Sequence, residues 1–459
     1  MSDPEKAVAP TVIGPVTGGQ HGWPFACSID DLSDIGYIEE EYFLDGEANA
    51  YRPTAEFGPD GHWSAEPAGS APFRTRMLVQ RPADPARFNG TVVVGWNNVT
   101  AGYELLAELP VIFEEGFAYA CASAQEVGVN GIAALPQGLK TWDPERYGSL
   151  EHPGDRYSYG IFPQAALAVG PNRPTGSLDG AFDPLGGLRV ERVVALGASQ
   201  SAARLATYIN AVEPIAGAFD GFLVLIHFGS GAGIDDDLVF DATSERPNPI
   251  FRTRTRLRDD FDAPIMLVNS ETEAPAYHAA RQEDSDRFRF WEVAGASHVS
   301  APQLGRRTAR AERDGIVGRA NPDPPSNISY VPAASAALGH LQRWMTGGPP
   351  PPGHPLIDMS GDPAGISRDE HHNAVGGVRM PGVDVPIGHN TGVSPVQGLG
   401  GLGGGSEPFE KDKLVDLYGD HDGYVAKFSD AAAAAVNAGV LRASEADQLV
   451  KEARDSEPF

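Results

Sequence analysis

Gly197-Ala198-Ser199-Gln200-Ser201 sets a serine among small residues directly behind the apolar run Val193-Val194-Ala195-Leu196. Arg192 to Leu196 is largely β-branched and apolar and reads as a strand. Beyond the turn, Leu205, Tyr208, Ile209 and Val212 recur at helical spacing. A strand–turn–helix junction of this kind pushes the serine hydroxyl out at the C-terminal edge of a sheet, beside the first backbone N–H groups of the helix. Strand and helix pack closely there, so the flanking positions must be small. Ser201 stands where the Gly-x-Ser-x-Gly pattern has its last glycine, and serine is nearly as small. The chemistry open to Ser199 is nucleophilic attack on an acyl carbon, with the Gln200 N–H as one donor to the oxyanion.

A serine nucleophile needs a base, and the base needs an orienting acid; on this kind of sheet they follow in the order Ser, Asp/Glu, His. Pro264 to Ser270 reads as an apolar strand that runs into Glu271-Thr272-Glu273. Phe288 to Val293 alternates like a strand and ends in Ala294-Gly295-Ala296-Ser297-His298. An acid and a histidine therefore each sit just past a strand end, where a parallel sheet presents functional residues. His298 is the expected base. Glu273 is the expected acid, with Glu271 as the alternative; the unused carboxylate caps the next helix. Asp262 precedes the strand and belongs at its opposite end. Among other histidines, His227 closes the run Phe222 to Ile226 and is placed to line a pocket. His278 falls on a helix, and His371 and His372 lie in a polar segment far along the chain.

The second oxyanion donor should come from the loop after the third strand, Thr91 to Gly95. That loop, Trp96-Asn97-Asn98-Val99-Thr100-Ala101-Gly102, offers the backbone N–H of Asn97, with Trp96 and Asn98 shaping the substrate site, and a helix is expected from Glu104 to Phe113. Tyr157, in Asp155-Arg156-Tyr157-Ser158-Tyr159, is a further pocket candidate.

Residues 1–30 read as irregular chain. Ile35 to Tyr51 and Phe73 to Gln80 read as antiparallel strands, Val92 to Val94 and Phe117 to Ser123 as the third and fourth, and Gly221 to Ile226 as the sixth. Residues 228–262, including Arg252-Thr253-Arg254-Thr255-Arg256, interrupt the strand–helix rhythm and are expected to form a cap over the site. Ala333 to Met345 reads as the last core helix, before the Pro/Gly break at 347–353. In the tail, the Gly/Leu run Gly398 to Gly405 reads as a flexible loop, and Lys413 to Arg454 as two or three amphipathic helices packed back on the core. The expected division is a core over 1–346 and a C-terminal extension over 347–459.

With these residues in hand the chain resembles the α/β-hydrolase superfamily, and within it a bacterial group of α/β-hydrolase-domain proteins with a Gly-x-Ser-Gln-Ser elbow. The resemblance rests on Val94 to Thr100, Leu150-Glu151-His152-Pro153-Gly154-Asp155, Gly197 to Ser201, Ser270 to Glu273, Val293 to His298 and Gly376-Gly377-Val378-Arg379-Met380-Pro381. It implies a mostly parallel twisted sheet flanked by helices, with a cap insertion and a C-terminal helical extension. It also implies acyl transfer, most often ester hydrolysis, without naming a substrate.

Lys+Arg 35 against Asp+Glu 62 gives a net charge of −27, which repels nucleic acid and anionic lipid, so neither is an expected partner. Hydrophobic residues make up 41% of 459, enough for a sizeable core. Cys121 is expected as a buried thiol, Cys27 sits in an N-terminal loop, and a bond between them stays open. No cluster has convincing metal-ligand spacing, no cofactor is expected, and no stretch approaches membrane-spanning length. The expected setting is cytoplasmic, with a small ester or lactone as substrate; a homo-oligomer is left open. Two rivals remain: an acyltransferase or amidase using the same residues, and a non-catalytic binding protein on the same fold.

Overall fold

The computed structural model describes residues 8–132, 137–174, 182–235, 254–316, 324–362, 364–395 and 398–459. The chain divides into two compact units, one of residues 1–265 with 280–282 and one of 266–279 with 283–459.

Among the described residues the first unit holds seven strands in the order β1-β2-β3-β5-β4-β6-β7. They are β1 Thr11–Ile13, β2 Tyr37–Pro53, β3 Ala65–Pro82, β4 Thr91–Trp96, β5 Ala118–Ala122, β6 Arg192–Ala198 and β7 Gly221–Leu225. Strands β4, β5, β6 and β7 pair in parallel, whereas β1, β2, β3 and β5 pair antiparallel. Every residue of β4, β5 and β7 is buried. A strand covered on both faces must read as a near-continuous apolar run, as Val92-Val93-Val94 does. Helix α1, Ser158–Val169, lies against β2, where the Gln164 Nε2 donates to the Glu47 carbonyl at 2.8 Å. Helix α2, Gln200–Thr207, leaves the end of β6 and continues as a wider turn over Tyr208–Val212.

Two expectations change here. Thr11–Ile13, within the segment read as irregular, pairs with Phe43 to Asp45 as an edge strand. The helix expected from Glu104 is a single turn, Val111–Glu114. The chain before it is held otherwise: Leu105 and Asn98 exchange backbone hydrogen bonds, and Glu104 is buried against Arg76 at 2.9 Å. That ion pair belongs to a buried cluster. Arg76 Nε meets Glu41 Oε1 at 2.6 Å and Arg146 Nε meets Glu41 Oε2 at 2.5 Å. Two cations thus face two anions, which is what allows four charges to leave water.

The expected cap falls largely on 236–253, outside the described residues, and Arg252 and Thr253 fall there too. Its flanks are tied down. Tyr159 donates its hydroxyl to the Gly233 carbonyl at 2.8 Å, and Arg254 Nη1 donates to the Phe228 carbonyl at 2.8 Å.

The second unit contains β8 (Ile265–Ser270) from Met266 onward, beside β9, Phe288–Val293. Helix α3, Ala301–Arg313, opens with a Ser300–Gln303 capping box, and α4 spans Val331–Met345. The Pro/Gly break lies inside this unit because the chain beyond it runs back along β9. Trp291 Nε1 donates to the Pro352 carbonyl at 2.8 Å, Ile357 N–H to Glu292 Oε2 at 2.9 Å, and Val378 N–H to the Glu292 carbonyl at 2.7 Å. Further on, β10, Gly388–Thr391, pairs antiparallel with β11, Gly405–Pro408. The Gly/Leu run between them, read as a flexible loop, carries a turn of 3-10 helix at Gly398–Gly403. The Leu402 and Gly403 carbonyls accept from Val299 and Ser326 at 3.0 and 2.7 Å.

The tail closes with three helices, α5 Lys411–Tyr418, α6 His421–Asn437 and α7 Ala443–Asp455. Val385, Tyr424, Phe428 and Ala453 form their shared apolar cluster, and His340 of α4 lies 2.8 Å from the Gly439 carbonyl just past α6. Cys27 and Cys121 are both buried free thiols, which closes the question of a bond between them. Among the described residues no helix is long and apolar enough to cross a membrane.

Candidate active site

In the first unit the elbow forms where the sequence places it. Ser199 sits between β6 and α2 with φ 61 and ψ −117, a conformation rare for any residue but glycine. Such strain persists only where the surroundings over-determine it. The backbone N–H of Ser199 donates to the Leu225 carbonyl of β7 at 3.0 Å, which fixes the turn from one side. On the other side, a Cβ added at Gly197 would come within 2.7 Å of the Ser201 carbonyl oxygen and 3.0 Å of Leu205 Cβ, so only glycine fits. Ser201 does more than stay small. Its Oγ accepts from Ala198 N–H at 2.9 Å and donates to the Ala198 carbonyl at 3.0 Å, bridging the turn that carries Ser199. A glycine at 201 would lack both bonds; sequence reasoning saw only the size of this residue.

Amide side chains knit the elbow to neighbouring loops. Asn98 Nδ2 donates to the Ala198 carbonyl at 2.9 Å, and Gln200 Nε2 donates to Gln125 Oε1 at 3.1 Å. Trp96 Nε1 donates to the same Gln125 oxygen at 3.1 Å, and the Trp96 ring packs 4.4 Å from that of Phe162. Trp96 is thus a buried wall of the sheet. The Gln200 N–H opens α2 and has no acceptor within the helix. The Asn97 N–H, expected as the second oxyanion donor, instead extends the β4–β5 pairing by donating to the Ala122 carbonyl at 3.3 Å. The Asn97 side chain donates to Glu104 Oε2 at 3.1 Å, so this residue hangs from the buried ion cluster.

His227 is buried just past β7, and burial, helped by Arg254, pushes its imidazole down to about 3, so it stays neutral. Tyr157 is half-buried with the Arg156 guanidinium over its ring at 5.4 Å. Sequence reasoning missed the Asp155–Arg204 pair. Arg204, buried in α2, meets Asp155 Oδ2 at 2.8 Å, while Asp155 Oδ1 accepts the Glu126 N–H at 2.7 Å. His152 of the same segment lies with Nε2 3.0 Å from the Ala124 carbonyl and accepts the Gly154 N–H on Nδ1, and burial holds it below the usual histidine value. Its role there is to fold the loop.

In the second unit the structure brings His298 and Glu273 together. His298 Nδ1 lies 2.6 Å from Glu273 Oε1, with Glu273 fully buried and His298 only 4% exposed. The other carboxylate oxygen accepts Ser270 N–H at 2.9 Å and Ser270 Oγ–H at 2.6 Å, so the acid is held at both ends. A carboxylate on Nδ1 keeps the proton there and leaves Nε2 as the basic nitrogen. Glu271 is engaged elsewhere, accepting the Gly295 N–H at 2.7 Å and Arg368 Nη2 at 2.7 Å. His278 lies in a short turn at His278–Ala280, and His371 and His372 lie near Phe409 and His389. Among the described residues no group of three or more His, Cys, Asp or Glu could hold a metal ion.

The chain belongs to the family described as "Alpha/beta hydrolase domain", whose model matches residues 12–451. A search of curated proteins found no match. Solved structures similar to it include a chain described as a dienelactone hydrolase from Klebsiella pneumoniae, at 11% identity and TM-score 0.25, covering 60% of this chain and 99% of that one. Acetyl xylan esterase 1 from Thermoanaerobacterium is similar at 12% identity and TM-score 0.27, covering 62% and 81%. The glucuronoyl esterase from Solibacter usitatus is similar at 10% identity and TM-score 0.26, covering 68% and 87%.

Proposed function

We propose that this α/β-hydrolase-domain protein is a serine hydrolase acting on a carboxylic ester or lactone, with Ser199 as nucleophile, His298 as general base and Glu273 as its orienting acid. The observation that carries the reading is the backbone of Ser199, a non-glycine residue held at φ 61 and ψ −117 between a buried strand and a helix N-terminus. The 2.6 Å pairing of His298 Nδ1 with a buried carboxylate supports the base assignment.

In the reaction the Ser199 Oγ–H proton passes to His298 Nε2 as Oγ bonds to the acyl carbon. The tetrahedral oxyanion collapses, the C–O bond to the alcohol breaks, and the alcohol leaves with the proton from His298. Water, deprotonated by His298, then attacks the acyl-enzyme; the second tetrahedral intermediate collapses, the acyl C–Oγ bond breaks, and His298 returns the proton to Ser199 Oγ as the acid leaves. The Gln200 N–H stabilises the oxyanion. Because the Asn97 N–H is engaged in the sheet, the second donor is assigned to Asn98 Nδ2, whose other hydrogen is not needed by Ala198. Trp96, Tyr157 and His227 remain candidates for shaping the substrate site.

The test is hydrolysis of p-nitrophenyl esters of graded chain length and of simple lactones, with fluorophosphonate labelling read by peptide mass spectrometry. Ser199→Ala should lower kcat by roughly 10⁵–10⁶-fold, and the label should sit on Ser199. Turnover retained in Ser199→Ala, or a label carried elsewhere, overturns the assignment.

A further inference from the structure

The His298–Glu273 pair is held by chain that the proposed reaction does not itself use. Glu271 is completely buried and commits both carboxylate oxygens. Oε2 accepts the Gly295 N–H at 2.7 Å, from the loop that leads to His298. Oε1 accepts Arg368 Nη2 at 2.7 Å and the Gly392 N–H at 3.1 Å, with the Thr391 hydroxyl also at 3.1 Å. Thr272, between the two glutamates, uses one hydroxyl for two bonds. Its Oγ accepts the His298 backbone N–H at 2.9 Å and donates to the Gly392 carbonyl at 2.6 Å.

Gly392 is therefore bonded through its N–H to Glu271 and through its carbonyl to Thr272. A Cβ at this position would collide with the Ala296 carbonyl and come within 2.7 Å of Glu271 Cβ and Thr272 N, so no side chain fits between the two loops. The same stretch of chain is tied again beyond His298, where Val299 N–H donates to the Leu402 carbonyl at 3.0 Å. The loop from Ala294 to His298 has no regular secondary structure to hold it. Its backbone is held against the acid turn by these side-chain bonds together with one backbone bond, in which Glu271 N–H donates to the Ala296 carbonyl at 2.9 Å.

We propose that Thr272, with the Glu271–Arg368 pair, forms a latch through which the C-terminal segment around Thr391 and Gly392 positions His298 against Glu273. Thr272, Glu271 and Arg368 are positioning residues, and the segment belongs to the catalytic apparatus although it contributes no reacting group. The proposal rests on the reading of His298 as the base. A displacement of about 1 Å in such a group costs about 10²-fold in rate.

The test uses the full chain carrying Thr272→Val, Thr272→Ser or Arg368→Met. Kinetics on a p-nitrophenyl ester are normalised to fluorophosphonate-labelled sites, and the low-field proton NMR resonance of His298 Nδ1–H is recorded in parallel. Thr272→Val should lower kcat by about 10²-fold with KM little changed, Thr272→Ser should restore it, and Arg368→Met should fall between. The low-field resonance should broaden or vanish in Thr272→Val and return in Thr272→Ser. A folded Thr272→Val variant with wild-type kcat and an unchanged resonance overturns the latch while leaving the proposed function standing. If the wild type neither turns over nor labels, the proposed function fails. The resonance then decides alone: its persistence in Thr272→Val refutes the latch, and its loss with rescue by serine supports it. Should Thr272→Val fail to fold, Arg368→Met is judged by the same two readouts.

Discussion

Replacing Glu273 by glutamine changes one atom and should cost nearly all of the activity, for a reason visible in its surroundings. Glu273 Oε2 receives two donors, Ser270 N–H at 2.9 Å and Ser270 Oγ–H at 2.6 Å. The hydroxyl can turn, but the backbone N–H cannot. A glutamine in the same pose must therefore keep its carbonyl oxygen toward Ser270, because an NH₂ there would set donor against donor. That leaves the NH₂ facing His298 Nδ1, at the position that now lies 2.6 Å away. Nδ1 can then only accept, and the ring proton moves to Nε2, the nitrogen that must take the proton from Ser199. A base locked in the wrong tautomer loses about 10⁴-fold in kcat, or about 5.5 kcal/mol of transition-state stabilisation. The assay is steady-state and burst kinetics on p-nitrophenyl acetate, with the rate of fluorophosphonate labelling as a check on the nucleophile alone. Glu271→Gln is the control. It disturbs the latch and should lower the thermal midpoint, with kcat falling no more than about 10²-fold. A Glu273→Gln enzyme within tenfold of wild type, or a larger loss in Glu271→Gln than in Glu273→Gln, would refute the tautomer argument and the choice of acid together.

Two further outcomes follow from the geometry. Because Ser199 sits at φ 61 and ψ −117, Ser199→Gly should be more stable than Ser199→Ala by about 1–2 kcal/mol in urea unfolding, and equal stability would remove the claim of stored strain. His227 gives a pH signature: burial first, then Arg254, pushes it down to about 3, below its ordinary value of 6.5. The folded state therefore favours the neutral ring. That contribution is complete above about pH 6.5 and is lost as pH falls toward 3, by up to on the order of 5 kcal/mol. His227→Leu should flatten this part of the acid limb of the unfolding midpoint, and an unchanged limb would count against the buried neutral ring.

Much of the site was legible because its signals are local. A β-branched run, small residues and a helical repeat put Ser199 on a strand–helix turn, since each part depends only on neighbours in the chain. The strand ends before Glu273 and His298 were readable in the same way, and their order in sequence followed. Nothing local separates Glu271 from Glu273. Both follow Ser270 within a few residues, and only the direction of each carboxylate, one to His298 and the other to Gly295 and Arg368, tells them apart. The expected helix after β4 failed for a similar reason: Glu104 has helix propensity, yet it is drawn into the buried cluster with Arg76 and Glu41. Asn97 looked available for an oxyanion because the pairing of its N–H with Ala122 is a matter of strand register.

What the sequence by itself determined was the set of elements and the residue types at their ends, because backbone preference and burial pattern act over a few residues. The tertiary structure decided which polar groups are already spent. It shows Asp155 engaged with Arg204, and Gly392 filling the gap between the acid turn and the histidine loop. Hydrogen-bond partners distant in sequence are fixed by the global packing, where each buried donor must find an acceptor. The availability of a side chain for chemistry is thus set by the whole fold, whereas its position at a strand end is set by its neighbours in the chain.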